Sequence, residues 1–158
     1  MKIAIVDYEN HDIAELKGEL TDRLLKEYGV KEIEFNILGE NIKERPYLFG
    51  KLKEYSADFL ITFNLAGFEL CTLTDAVSYN LLDCKQLHWI EKKGCVNEKF
   101  LNKILSIVMF FATEDEDTKK YILENYESIP RMYLVNDKDS TNENIVCSVL
   151  KVIEEINH

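Results

Sequence analysis

The chain has 158 residues, 46% of them hydrophobic, and a formal net charge of -10 from 29 acidic and 19 basic residues. This length and apolar content suit one globular domain, and two prolines with six glycines exclude a collagen-like or low-complexity chain. An acidic surface repels phosphate backbones, so we expect no nucleic-acid partner.

The N-terminus, MKIAIVDYEN, does not have the pattern of a signal peptide, because its apolar run ends at Val6 and acidic residues follow. No stretch approaches the roughly 18 apolar residues of a membrane span. The cysteines at 71, 84, 95 and 147 lack metal-ligand spacing and are interpreted as small buried hydrophobes in a reducing compartment. We therefore expect a cytoplasmic protein with no membrane partner and no metal.

Short apolar runs alternate with helical patterns along the chain. Strands are predicted over 2–8, 31–38, 57–63, 85–91, 107–113 and 131–135. Helices are predicted over 11–29, 46–56, 73–83, 97–106, 114–129 and 141–157. This alternation implies parallel strands joined by right-handed crossovers. The predicted fold is a single α/β domain over 1–158, Rossmann-like or flavodoxin-like. We expect a three-layer α/β/α sandwich with a mostly parallel, doubly wound sheet of about six strands.

Three local patterns predict where two strands lie in the sheet and where one helix begins. The stretch 31–38 alternates apolar and polar residues, which predicts a half-exposed strand near a sheet edge. The stretch 57–63 is almost unbroken in its apolar character, which is typical of a strand covered on both faces. Pro46 suits the first turn of a helix and is expected to push Arg45 out of helical geometry.

Doubly wound sheets bind ligands beyond the carboxyl ends of their strands. Five residues at those ends are predicted to bind a ligand: Asp7, Glu9, His11, Asn64 and Gly67. The loop after the first strand, DYENHD, has no glycine, which excludes the dinucleotide fingerprint, and no phosphate-binding loop motif is present. We therefore predict no cofactor, and no residue is assigned a catalytic role.

Each of these residues also has a purely structural interpretation. Asn64 and Gly67 suit the geometry of a turn, and Asp7 suits either a turn or a crevice. His11 is the better candidate for acid–base work, because His88 lies inside an apolar strand and is interpreted as a core histidine. The acids of 114–117 are interpreted as complementing a helix dipole rather than binding a metal.

The segment KIAIVDYENHDIAELKGEL, 2–20, resembles the start of a response-regulator receiver domain. The resemblance implies weak Mg²⁺ binding by Asp7 and Glu9. Phe63 and Asn64 stand where such domains have the phosphorylated aspartate, which implies a degenerate receiver-like domain without a phosphoacceptor.

The segment ADFLITFNLAGFELCTLTDAVSYNLLDCKQLHWI, 57–90, resembles a unit of the N-terminal domain of GT-B-like glycosyltransferases of the bacterial spore-maturation type, chiefly through TFN. In that family the nucleotide sugar binds mostly in a second domain, so the resemblance leads us to expect no donor site within these 158 residues. The expected function is a small non-catalytic binding or interaction module with a small-molecule or protein partner. The alternative is a divergent glycosyltransferase-like protein that needs a partner chain.

Overall fold

A computed structural model describes residues 1–11, 14–39, 45–64, 66–67, 80–90, 107–113, 117, 120, 124, 132–136 and 142–157. Its strands are β1 (Lys2–Tyr8), β2 (Glu32–Leu38), β3 (Phe59–Phe63), β4 (Lys85–Ile90), β5 (Ile107–Thr113) and β6 (Met132–Asn136). Its helices within these ranges are α1 (Ala14–Glu27), α2 (Arg45–Tyr55) and α3 (Asn142–Asn157).

The strands form one parallel sheet, so the expected α/β class is confirmed. β1 pairs with β2 on one side and β3 on the other, and β4 follows β3. β5 and β6 continue the order, which reads β2-β1-β3-β4-β5-β6. In this arrangement the strand order reverses between β1 and β3, where flavodoxin-like sheets bind their ligands. β2 lies at the edge, as its alternating pattern predicts.

The two strands beside this switch point are buried on both faces. Ile3 to Val6 of β1 are fully buried, and every residue of β3 is buried. Successive side chains of a strand point to opposite faces, so burial of consecutive residues requires cover above and below. The unbroken apolar run of 57–63 is therefore correctly interpreted.

One face of the sheet packs against α1 and α3. Leu16, Leu20 and Leu24 recur at steps of four and are the buried residues of α1. They share a core cluster with residues of α3: Ile145, Val146, Val149, Leu150, Val152, Ile153 and Ile156. α1 ends where Gly29 adopts a φ of 64° and the Val30 amide turns back to the Leu24 carbonyl at 3.4 Å.

The start of α2 differs from the expectation. The helix begins at Arg45, although Pro46 was expected to hold that residue outside it. The first four amides of a helix have no intrahelical acceptor, so a proline at the second position removes no hydrogen bond. α2 buries Leu48 and Leu52, again one turn apart.

The end of the predicted helix 73–83 also differs. Asn80 is helical, but Leu81 and Leu82 form a turn and Asp83 has a φ of 50°. The remainder of that helix lies outside the described residues, as do the predicted helix 97–106 and most of 114–129. Asp117, Lys120 and Glu124 of the last are helical and exposed.

Two cysteines can be placed. Cys84 is buried, and burial raises the pKa of its thiol to about 11, so it behaves as the expected small hydrophobe. Cys147 is partly exposed and accepts a hydrogen bond from Arg23 at 2.8 Å. Cys71 and Cys95 lie outside the described residues. None of the helices in the described part of the chain combines the length and apolarity of a membrane crossing.

Candidate functional site

The candidate site is the carboxyl edge of the sheet between β1 and β3. Val6 of β1 lies opposite Thr62 of β3, so the two strands end side by side. Asp7 follows Val6 and is fully buried, although it carries a carboxylate. A buried carboxylate is costly unless it is paired and hydrogen-bonded, so its partners define the site.

Among the described residues, three groups hold the Asp7 carboxylate. Oδ1 accepts hydrogen bonds from the Tyr8 amide and from Nδ1 of His11, both at 2.8 Å. Oδ2 accepts a hydrogen bond from the Lys17 ammonium at 2.5 Å. An ionised carboxylate only accepts hydrogen bonds, so Nδ1 of His11 carries the proton in this contact. The side chains of His11 and Lys17 are 10% and 18% exposed, which places them between the buried acid and the surface.

His11 joins the loop after β1 to the end of β3. Its ring lies 5.7 Å from the ring of Phe63, at an interplanar angle of 58°. Phe63 in turn contacts Trp89 of β4, with ring centroids 5.3 Å apart. Tilted pairs at these separations are favourable aromatic contacts, so a row of packed rings supports His11 from the core.

Asn64 and Gly67 form the turn that follows β3. Asn64 has a φ of 47° and Gly67 a φ of 85°, a left-handed region that asparagine tolerates and glycine prefers. The backbone amide of Asn64 donates a hydrogen bond to the Trp89 carbonyl at 2.7 Å. The backbone amide of Ala66 donates to the Phe63 carbonyl at 2.9 Å. The turn interpretation is therefore confirmed for the backbone. Ligand binding by the Asn64 side chain stays a prediction.

Glu9 is directed toward the other neighbour of β1. Its amide donates to the Leu38 carbonyl at the end of β2, at 3.0 Å. Its exposed carboxylate lies beside Gly39, where an added Cβ would be 3.7 Å from Oε2. The structure therefore brings Asp7 and His11 together at β3 and leaves Glu9 on the β2 side.

This geometry disfavours Mg²⁺ binding by Asp7 and Glu9. Both oxygens of Asp7 already accept hydrogen bonds, and a metal ion would have to displace the ammonium of Lys17. Within the described residues, no group of three or more His, Cys, Asp or Glu side chains could hold a metal ion.

Lys17 is the residue of the site that the sequence analysis missed. It is the fourth residue of α1, where the positive end of the helix dipole disfavours a cation. A lysine in a first turn is therefore a signal that an acidic partner lies nearby. Asp7, ten residues earlier, is that partner.

His88 is confirmed as a core histidine. It is fully buried in β4, and its Nδ1 lies 2.6 Å from the Thr62 hydroxyl. Burial lowers the pKa of His88 to about 3, so its imidazole is neutral in the folded protein. Its contact with Thr62 lies two residues before Asn64.

Comparison of the chain with protein-family models and with curated proteins finds no match.

Proposed function

We propose that the chain is a small, non-catalytic cytoplasmic binding module that holds a neutral polar small molecule at the β1–β3 carboxyl edge. Residues 1–158 form one domain, in which the sheet of about six strands is doubly wound and lies between two layers of helices. The burial of β1 and β3 on both faces supports this three-layer form. Such a domain is similar to the N-terminal half of GT-B-like glycosyltransferases.

The observation that carries the proposal is the buried Asp7 carboxylate with its two side-chain partners. Removing one partner of a buried ion pair costs about 3 to 5 kcal/mol, so the Asp7–Lys17 pair is strongly retained. The hydrogen bond from Nδ1 of His11 to the same carboxylate orients the imidazole beside it. Lys17 and His11 stand at the point where parallel sheets of this order bind ligands. Positioned donors and acceptors at such an edge are what a specific polar ligand needs.

Charge balance selects a neutral ligand. The positive charge of Lys17 offsets the negative charge of Asp7. Glu9 adds a further negative charge on the β2 side. The whole chain carries a net charge of -10, which disfavours phosphates and other anions. A ligand rich in hydroxyl groups suits the polar groups at this edge. These groups are the ammonium of Lys17, the imidazole of His11 and the side-chain amide of Asn64.

A thermal-shift screen of neutral sugars and sugar alcohols at millimolar concentration tests the proposal. A ligand at 100 times its dissociation constant stabilises the folded state by about 2.7 kcal/mol. Asn64→Gly removes the side-chain amide and keeps the left-handed backbone. We expect it to weaken a hit by about fivefold, because one hydrogen bond contributes about 1 kcal/mol.

Asp83→Gly is the matched control. Asp83 also has a left-handed backbone, with a φ of 50°, but it lies before β4 at the opposite end of the sheet. This variant should bind the same hit as tightly as the wild-type chain does. Equal affinity in the Asn64→Gly variant, or no stabilisation by any neutral compound, would contradict the proposal.

The alternative is a divergent glycosyltransferase-like protein that acts with a partner chain. Its support is the resemblance of the TFN stretch, 62–64, to GT-B-like glycosyltransferases. Thr62 and Phe63 are fully buried in β3, so only Asn64 of this stretch lies in the turn. Stabilisation by nucleotide sugars and not by neutral sugars would favour this alternative. The degenerate receiver-like domain has less support, because the Lys17 ammonium is hydrogen-bonded to the Asp7 oxygen that Mg²⁺ would need.

A further inference from the structure

The outer edge of the sheet, at β2, exposes large apolar side chains. Phe35 and Ile37 of β2 are 45% and 47% exposed. They alternate with polar residues, so both lie on the same face of the strand as Ile33. Within the described chain β2 pairs only with β1, which leaves its second edge open to another strand.

The helix that follows β2 does not close this edge. Two adjoining crevices of about 260 and 500 Å³ run between β2 and α2. Phe35, Asn36 and Lys51 line both of them. Tyr47 on the first turn of α2 is also 70% exposed. An open strand edge with exposed apolar side chains is a template for pairing with another chain.

We propose that this edge is a dimer interface, in which β2 of one copy pairs antiparallel with β2 of a second copy. The two-fold axis passes midway between the two Phe35 residues. The two six-stranded sheets then become one continuous sheet. The interface is isologous, so each copy offers the same residues to the other.

The sequence of β2 fits this partner because it is symmetric about Phe35. In the proposed register Phe35 lies opposite Phe35 of the second copy, and Ile33 lies opposite Ile37. Directly opposed apolar and aromatic side chains stabilise antiparallel strand pairs. A pattern that reads Ile-Glu-Phe-Asn-Ile in 33–37 complements itself, which binding to an unrelated strand would not require.

The positions of the acidic residues support the same register. Glu34 lies opposite Asn36 of the second copy, and Glu32 lies opposite Leu38. The side-chain amide of Asn36 donates one hydrogen to Glu34 of its own strand at 3.2 Å and has a second N–H for the facing carboxylate. No acid faces another acid. In-register parallel pairing would oppose Glu34 to Glu34, and an antiparallel register centred on Glu34 would do the same, which is destabilising in both cases.

Salt distinguishes this interface from one held by ion pairs. Each copy carries a net charge of -10, so association brings together two molecules of like charge. Added salt screens that repulsion and leaves the apolar contacts of Phe35 and Ile37 intact. We therefore expect the dimer to strengthen as the salt concentration rises.

Sedimentation equilibrium over a range of protein concentrations is the first test. The wild-type chain should form a dimer with a dissociation constant in the micromolar range, and Phe35→Glu should stay monomeric. Leu81→Glu is the matched control, because Leu81 is 62% exposed and lies before β4, three strands away in the sheet. It should dimerise like the wild-type chain. A monomeric wild type, or dissociation by Leu81→Glu and not by Phe35→Glu, overturns the proposal.

Cysteine cross-linking tests the register independently of the Phe35→Glu variant. Directly opposed residues of an antiparallel pair have Cα atoms about 4.5 to 5.5 Å apart, within reach of a disulfide. Under oxidation, Phe35→Cys should form a covalent dimer through the two introduced cysteines, verified by peptide mapping. Glu34→Cys alone should not, because its opposite residue is Asn36. Cross-linking of Glu34→Cys in preference to Phe35→Cys overturns the register.

Discussion

At the residue scale, Lys17 decides what the end of β1 can do. The loop DYENHD gives the impression of an acidic crevice when it is considered alone. Lys17 balances Asp7 and occupies one of its oxygens, so the acid becomes an anchor for His11 rather than a free anionic ligand. The local charge of the site is therefore set by a helix residue ten positions further along the chain.

His88 makes the folding free energy depend on pH. An unperturbed histidine has a pKa of about 6.5, whereas burial lowers that of His88 to about 3. Between these values the unfolded chain binds one more proton than the folded protein, so stability falls as the pH decreases. From pH 8 to pH 5.5 the loss from this residue should be about 1.4 kcal/mol.

The measurement is urea unfolding of the wild-type chain and of the His88→Gln variant at both pH values. Gln lacks the titration and retains groups that can hydrogen-bond the Thr62 hydroxyl. The free energies of unfolding of the two proteins should approach each other by about 1.4 kcal/mol at the lower pH. Carboxylate effects are common to both proteins and cancel. A difference that does not change with pH would show that His88 does not titrate as its burial implies.

At the element scale, the periodicity of the sequence predicted much of the fold. The leucine stripe of α1, the unbroken apolar run of β3 and the alternation of β2 are each local patterns, and each has the predicted structure. The Asp7–Lys17 contact was not predictable in this way, because it joins a strand to a helix face through the tertiary fold. The same holds for the Thr62–His88 pair, which depends on the register between β3 and β4.

The packing of α1 provides an element-scale prediction. Leu20 is fully buried in the cluster shared with α3, while Leu25 of the same helix is 44% exposed. Leu20→Ala should lower the free energy of unfolding by about 2 to 5 kcal/mol, because it removes apolar contacts and leaves a cavity.

Leu25→Ala removes the same atoms from the surface and should change stability by no more than about 0.5 kcal/mol. Denaturant unfolding of both variants measures the two effects. Similar losses in the two variants would mean that α1 does not pack on the sheet through its leucine stripe.

At the scale of the whole molecule, strand order determines which parts open first. β1 is hydrogen-bonded to strands on both sides, and its residues 3–7 are fully buried. Among the residues that the structure describes, β2 is paired on one side only and exposes two large apolar side chains. Amides of central strands exchange with solvent through global unfolding, whereas elements with few buried contacts open at a lower free-energy cost.

Hydrogen–deuterium exchange measured by mass spectrometry should therefore separate the two strands. In dilute protein, a peptide covering 32–38 should exchange faster than peptides covering 2–8 and 59–63.

At high protein concentration the exchange of the 32–38 peptide should slow, because pairing with a second copy protects the open edge. Phe35→Glu should abolish that change. The peptides of β1 and β3 serve as internal controls, since dimerisation leaves their hydrogen bonds unaltered. Equal protection of all three strands in dilute protein would contradict the position of β2 at the edge. Slowing of 32–38 that persists in Phe35→Glu would instead contradict the dimer.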